Sequence, residues 1–141
     1  ESSRAQQAEL LYAQGHDLEA TDLAAARATY LEALRICSSH LEARINLGRL
    51  LHLGGELQEA ERVYRKAQSS SALLSFNLAI LLEDLQREEE AIATYREALA
   101  LDPSLHDAHF NLARLHEKAN RPRDALRHLL AYRRHVVRID E

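Results

Sequence analysis

The sequence is poor in the residues that staple, break or anchor a chain. It has one cysteine, Cys37, and no methionine or tryptophan. A lone thiol excludes an internal disulfide and cannot by itself fill a thiolate zinc site, and it suits a reducing, cytoplasmic setting. Cys37 follows Ile36 at the end of an expected helix, where a free cysteine behaves as a small hydrophobe. Two prolines and four glycines in 141 residues leave few ready-made turns, and aromatics are limited to five Tyr and two Phe. No apolar run approaches the roughly 18 residues of a membrane span. The N-terminus lacks the basic-then-apolar layout of a signal peptide, so no membrane role is expected. Neither sign of charge dominates: 18 Lys+Arg stand against 22 Asp+Glu. A pI near 6.1 argues against a sequence-independent grip on nucleic acid. With no methionine even at position 1, the chain is expected to be a piece of something longer.

What remains is dominated by helix formers, with 26 Leu and 23 Ala. That composition points to an all-α protein, and the length suits one domain over residues 1–141. The Leu and Ala spacing repeats. One motif reads Ala26/Tyr30/Ala33, Ala60/Tyr64/Ala67, Ala91/Tyr95/Ala98 and Ala125/Leu129/Tyr132, its first members separated by 34, 31 and 34 residues. A second reads Asn46-Leu47-Gly48, Asn77-Leu78-Ala79 and Asn111-Leu112-Ala113, with Leu51, Leu82 and His116 four residues after each Leu. Steps of three and four mark one face of a helix. Gly54-Gly55, Gln86-Arg87 and Asn120-Arg121-Pro122 separate the motifs as tight turns, in which Gly or Asn takes the left-handed conformation. Each unit is thus a helix, a turn and a helix. The small residue after each Leu lets the two helices approach, and the large Tyr fills the gap.

Helices are expected near 3–19, 22–37, 41–53, 57–68, 71–85, 88–101, 105–119 and 122–138. In the first unit Gly15 stands one place late after Tyr12-Ala13-Gln14, which predicts a different packing of that helix. The second unit loses three residues before Ser69-Ser70-Ser71. Its second helix should be nearly a turn short, with one of the serines capping the next helix.

With Pro103 closing the third unit, this arrangement resembles the tetratricopeptide repeat, whose period is 34 residues. The resemblance covers about residues 7 to 137 and implies a right-handed α-solenoid of about four repeats, near 7–40, 41–71, 72–105 and 106–138. It also implies a concave wall built from the first helices, which binds an extended peptide or partner segment. Carried over by position, that wall presents Ile45, Phe76 and Phe110 at the fifth place of each repeat. Asn46, Asn77 and Asn111 take the sixth place, and Arg49, Ile80 and Arg114 the ninth. A side-chain amide complements a peptide group, so three in register form a ladder for an extended backbone. This ladder resembles that of the O-linked N-acetylglucosamine transferase superhelix. The bland alternative is that the asparagines bond between neighbouring first helices. A dicarboxylate clamp, as in chaperone adaptors, wants Lys where Ile45, Phe76 and Phe110 stand. Amide contacts of about 1 kcal/mol and apolar anchors of about 2 kcal/mol, set against association costs, imply micromolar or weaker binding.

No catalytic chemistry is legible: there is no phosphate-binding glycine loop and no His-Glu-x-x-His. The chain is therefore read as non-enzymatic and without a cofactor. Of eight histidines, His106/His109, His109/His116 and His128/His135 can share helix faces. Close-spaced Cys/His pairs are missing, so no metal is expected, and His109 and His116 are read as packing residues of a last repeat with nothing after it. Glu88-Glu89-Glu90 suits a helix start. The final helix carries Leu129, Tyr132 and Val136 facing inward, with Leu126, Leu130 and Val137 on an uncapped face. Homodimerisation through that face is a second function class. The stretch from Asn111 to Tyr132 also resembles tetratricopeptide tails behind MerR-type DNA-binding domains. That likeness implies a partner-sensing end of a bacterial transcription regulator.

Overall fold

Helix capping and apolar spacing divide the described residues into eight helices. The computed structural model describes residues 3–140, with side chains through Arg134. In order they are α1 (Arg4–Leu18), α2 (Leu23–Ile36), α3 (Leu41–Leu53), α4 (Leu57–Arg65), α5 (Ala72–Asp84), α6 (Glu88–Leu101), α7 (His106–Lys118) and α8 (Pro122–Asp140). No strand occurs among the described residues. This is an all-α helical-repeat fold.

Local chemistry sets the boundaries. Ser3 and Gln6 form a reciprocal capping box on α1, and Asp22 accepts from the Ala25 amide at 3.0 Å to start α2. The shortened α4 has nine residues, and Ser71 caps α5 by accepting from the Leu74 amide at 3.2 Å. Both features were expected from the lost residues and the serine run. Glu88, Glu89 and Glu90 fill the first turn of α6, where negative charge meets the helix dipole. Pro122 opens α8 at a position that has no helical N–H bond to lose.

Three of the four hairpin turns share one device. Gly55, Gln86 and Asn120 adopt φ of 80°, 64° and 62°. The amide after each reaches back to the helix it leaves: Glu56 to the Leu51 carbonyl at 2.9 Å, Arg87 to Leu82 at 2.9 Å, and Arg121 to His116 at 2.8 Å. The α1–α2 turn has no left-handed residue and closes instead through the Asp22 amide on the Leu18 carbonyl at 2.7 Å.

The chain forms two compact units, residues 1–69 and 70–141. In the first, α1 packs on α2, α2 on α3, and α3 on α4; in the second, α5 to α8 repeat that order. Each core centres on a second-helix tyrosine, and Tyr30, Tyr64 and Tyr95 are essentially fully buried. A Cβ on Gly15 would lie 2.6 Å from Tyr30 Cε1, and one on Gly48 would lie 2.2 Å from Tyr64 Cε1. This corrects the expectation for the first unit. Gly15 packs on its tyrosine as Gly48 does, and it looked late only because it stands eleven residues before Ala26, where Gly48 and Ala79 stand twelve before Ala60 and Ala91.

Gly48→Ala should destabilise the protein by about 1–3 kcal/mol, because the ring must leave its seat. Gly54→Ala, at a negative φ with its nearest neighbour 3.4 Å away, should be neutral or stabilising by up to about 1 kcal/mol. Urea unfolding midpoints of the two variants separate these outcomes.

Candidate functional site

Seating the tyrosine ring against a small residue carries its hydroxyl to the mouth of the hairpin, where a polar group follows from the helix repeat. Four residues after Gly15 and after Ala79, on the same helix face, stand Glu19 and Glu83. Tyr30 donates its hydroxyl proton to the Glu19 carboxylate, and Tyr95 donates to Glu83. The next repeat completes each set. Asn46 Nδ2 donates to the Tyr30 hydroxyl at 3.2 Å, and Asn111 Nδ2 donates to that of Tyr95 at 3.1 Å. Arg49 Nη2 donates to Glu19 Oε1 at 2.5 Å, and Arg114 Nη2 to Glu83 Oε1 at 2.5 Å. The same Glu–Tyr–Asn–Arg set thus occurs once in each unit.

Its electrostatics follow from partial burial. Desolvation alone would raise the Glu19 carboxyl, but the bonds from Arg49 and Tyr30 outweigh it and hold the group below its ordinary range. Burial, then the neighbouring carboxylates, push the Tyr30 and Tyr95 hydroxyls far up, so both stay protonated donors. The middle tyrosine differs. His52 takes the place of the carboxylate, burial pushes the Tyr64 hydroxyl up to about 12, and it meets no hydrogen-bond partner among the described residues.

The nine residues assigned to the binding wall divide accordingly. Asn46 and Asn111 each give one N–H to a tyrosine, and Arg49 and Arg114 are anchored on carboxylates with half-exposed heads. Asn77 and Ile80 lie half-buried on α5. The Phe76 ring meets the edge of Tyr95 at 5.7 Å, and Phe110 lies 5.2 Å from Tyr132 while remaining exposed. Ile45 is buried and belongs to the core. Tyr12, three residues before Gly15, holds the corresponding place in the first repeat and packs 6.2 Å from Tyr30. The spacing hides this place, because Gly15 stands one residue nearer to Ala26 than Gly48 does to Ala60. It hides Glu19 and Glu83 too, although a carboxylate at a helix C-terminus runs against the dipole and signals another partner.

The last hairpin gathers three histidines. His109 Nδ1 and His128 Nδ1 are 3.0 Å apart, and His116 stacks on His128 with centroids 5.5 Å apart. His116 is fully buried, so it packs as expected, though not because the end of the array relaxes the demand for an apolar group. Among the described residues no three His, Cys, Asp or Glu side chains are arranged to hold a metal ion. The side chain of His135 lies outside the described residues.

The end of the array also differs from expectation. Leu129 stands where Tyr30 and Tyr95 are buried, yet it is 40% exposed, beside Leu126 at 58%. Leu130 is exposed, but so are Leu31, Arg65 and Arg96 at the same place in the other repeats. The exposed apolar stripe particular to this repeat is therefore Leu126 and Leu129, with Leu130 on a face that is open in every repeat. Val136 and Val137 have side chains outside the described residues. No helix among the described residues is long and apolar enough to cross a membrane.

Residues 6–73 match the family model described as Tetratricopeptide repeat, and residues 81–120 match that described as TPR repeat. The chain thus carries tetratricopeptide repeats. Human Protein O-mannosyl-transferase TMTC3 is 34% identical in an alignment 101 residues long that covers 67% of this chain and 11% of that protein. Among solved structures, the crystal structure of MamA superposes with a TM-score of 0.87 at 16% identity, covering 94% of this chain and 80% of that one. MamA 41-end from Desulfovibrio magneticus RS-1 gives 0.82 at 20%, covering 95% and 78%. At such identities the likeness is one of fold. These matches lend no support to the resemblance to MerR-type regulator tails.

Tyr95→Phe should cost about 1–2 kcal/mol, since Glu83 and Asn111 both lose a buried partner, whereas Tyr64→Phe should be neutral or stabilising. Chemical denaturation of the two variants is the check, and equal losses would contradict the assigned network.

Proposed function

We propose that this chain is a non-enzymatic protein-interaction module whose first helices hold an extended segment of a partner protein. The supporting observation is the anchoring of Asn46 with Arg49 and of Asn111 with Arg114. Each pair is held by its own Tyr–Glu set, so donors that face a partner have already lost much of their rotamer freedom. Each asparagine keeps one N–H and its carbonyl oxygen for a peptide group. Phe76, Asn77, Ile80 and Phe110 add apolar and amide contacts, and Ile45 supports α3 from beneath. The reading gives no role to transferase chemistry, because the match to the human transferase covers only 11% of that protein.

A second reading rests on the exposed Leu126 and Leu129: two copies bury this stripe against each other. Leu126→Glu with Leu129→Glu tests it, because light scattering should show a larger particle for the parent chain and a single-chain mass for the variant.

For the first reading, the purified chain should capture an extended peptide partner with micromolar or weaker affinity. Asn111→Ala and Phe110→Ala should each weaken capture by about five- to thirtyfold while circular dichroism stays unchanged. Capture that survives both substitutions in the folded protein removes the assignment.

A further inference from the structure

Three imidazoles meet inside one hairpin, two of them at places that other repeats fill with apolar or small groups. His116 stands in register with Leu51 and Leu82, both buried core residues, and His128 with Val63 and Thr94. Neither ring nitrogen of His116 has a hydrogen-bond partner among the described residues, nor has Nε2 of His128. His128 Nδ1 lies 3.0 Å from His109 Nδ1, so one nitrogen donates and the other accepts. If both rings were protonated, two N–H groups would point at each other.

The surrounding charge is nearly all positive. Arg96 from α6, Arg121 from the turn, and Arg127 and Arg134 from α8 act on the cluster, with Asp124 of α8 the opposing charge. We infer that His109, His116 and His128 form an acid-sensitive latch between α7 and α8, and that proton uptake by the cluster loosens this hairpin while α1–α4 stay folded.

Burial, reinforced by His109, Arg127, His116 and Arg96, lowers the His128 imidazole to about 4. Burial lowers His116 as well, opposed by Asp124 and aided by Arg96, Arg121 and Arg127, and it lowers His109 with help from Arg134. All three folded values lie below the unfolded one, so the unfolded hairpin binds more protons in the interval between them. The stability of the neutral cluster is complete above about 6.5 and is lost as pH falls from there towards the folded values. The latch fixes α7, which carries Phe110, Asn111 and Arg114, but its test needs no partner and is independent of the interaction reading.

Amide exchange read by mass spectrometry, corrected for the intrinsic rate, compares the chain at about pH 7 and about pH 5. Protection in α7 and α8 should fall at least about tenfold on acidification, with α1–α4 changing by less than about twofold. In His116→Leu/His128→Val, which installs the second repeat's residues, the α7–α8 loss should disappear. A uniform loss across all eight helices, no loss in α7–α8, or the same loss in the folded variant overturns the latch. If the variant does not fold, proton NMR of the parent decides: at least two of the eight histidines should stay neutral down to about pH 5, and ordinary titration of all eight overturns it.

Discussion

Everything in this protein follows from the close approach of a tyrosine ring to a residue without bulk. A helix pair joined by a short turn can bury a large ring only if the facing helix leaves room. Gly15 and Gly48 leave so much that a single added carbon would fall inside the ring's van der Waals surface. The ring in turn fixes where its hydroxyl emerges, and that point decides which polar residues can meet there. Packing therefore comes first, and the hydrogen-bond network is built on it.

The network is cooperative in a specific sense. Glu19 lies near a helix C-terminus, an unfavourable place for a carboxylate, and is kept ionised by Arg49 and Tyr30. Tyr30 stays a donor because burial, and then the carboxylate facing it, hold its proton, and its oxygen accepts from Asn46. Removing any one member changes the chemistry of the other three, whereas an exposed ion pair standing alone contributes little. The set recurs intact at Glu83, Tyr95, Asn111 and Arg114 in the second unit. The middle tyrosine has the ring without the carboxylate.

Much of this was legible in the sequence because a repeat displays each position several times. The helices, the short α4, the serine cap at Ser71, the turn at Gln86-Arg87 and the left-handed residues Gly55 and Asn120 follow from spacing and turn chemistry, whereas the left-handed conformation of Gln86 does not. What stayed hidden depended on contacts across helices. Asn46 and Tyr30 are sixteen residues apart, and His109 and His128 nineteen, so no single-helix face pairs them. Face spacing paired His106 with His109, His109 with His116 and His128 with His135; the contact it could not supply is that of His109 and His116 with His128, which comes from the next helix. At the chain's end, Leu130 looked like part of an uncapped stripe, but comparison with Leu31, Arg65 and Arg96 shows its place is open throughout.

The recurrence of one four-residue bond set in each unit bears on how such arrays grow. A lone helix pair supplies the carboxylate and the phenol but not the amide and guanidinium, which arrive with the following pair. The smallest cassette that carries a closed set is therefore two repeats, and duplication or recombination by pairs would transplant a finished polar circuit. Transfer of one repeat at a time would strand half of it.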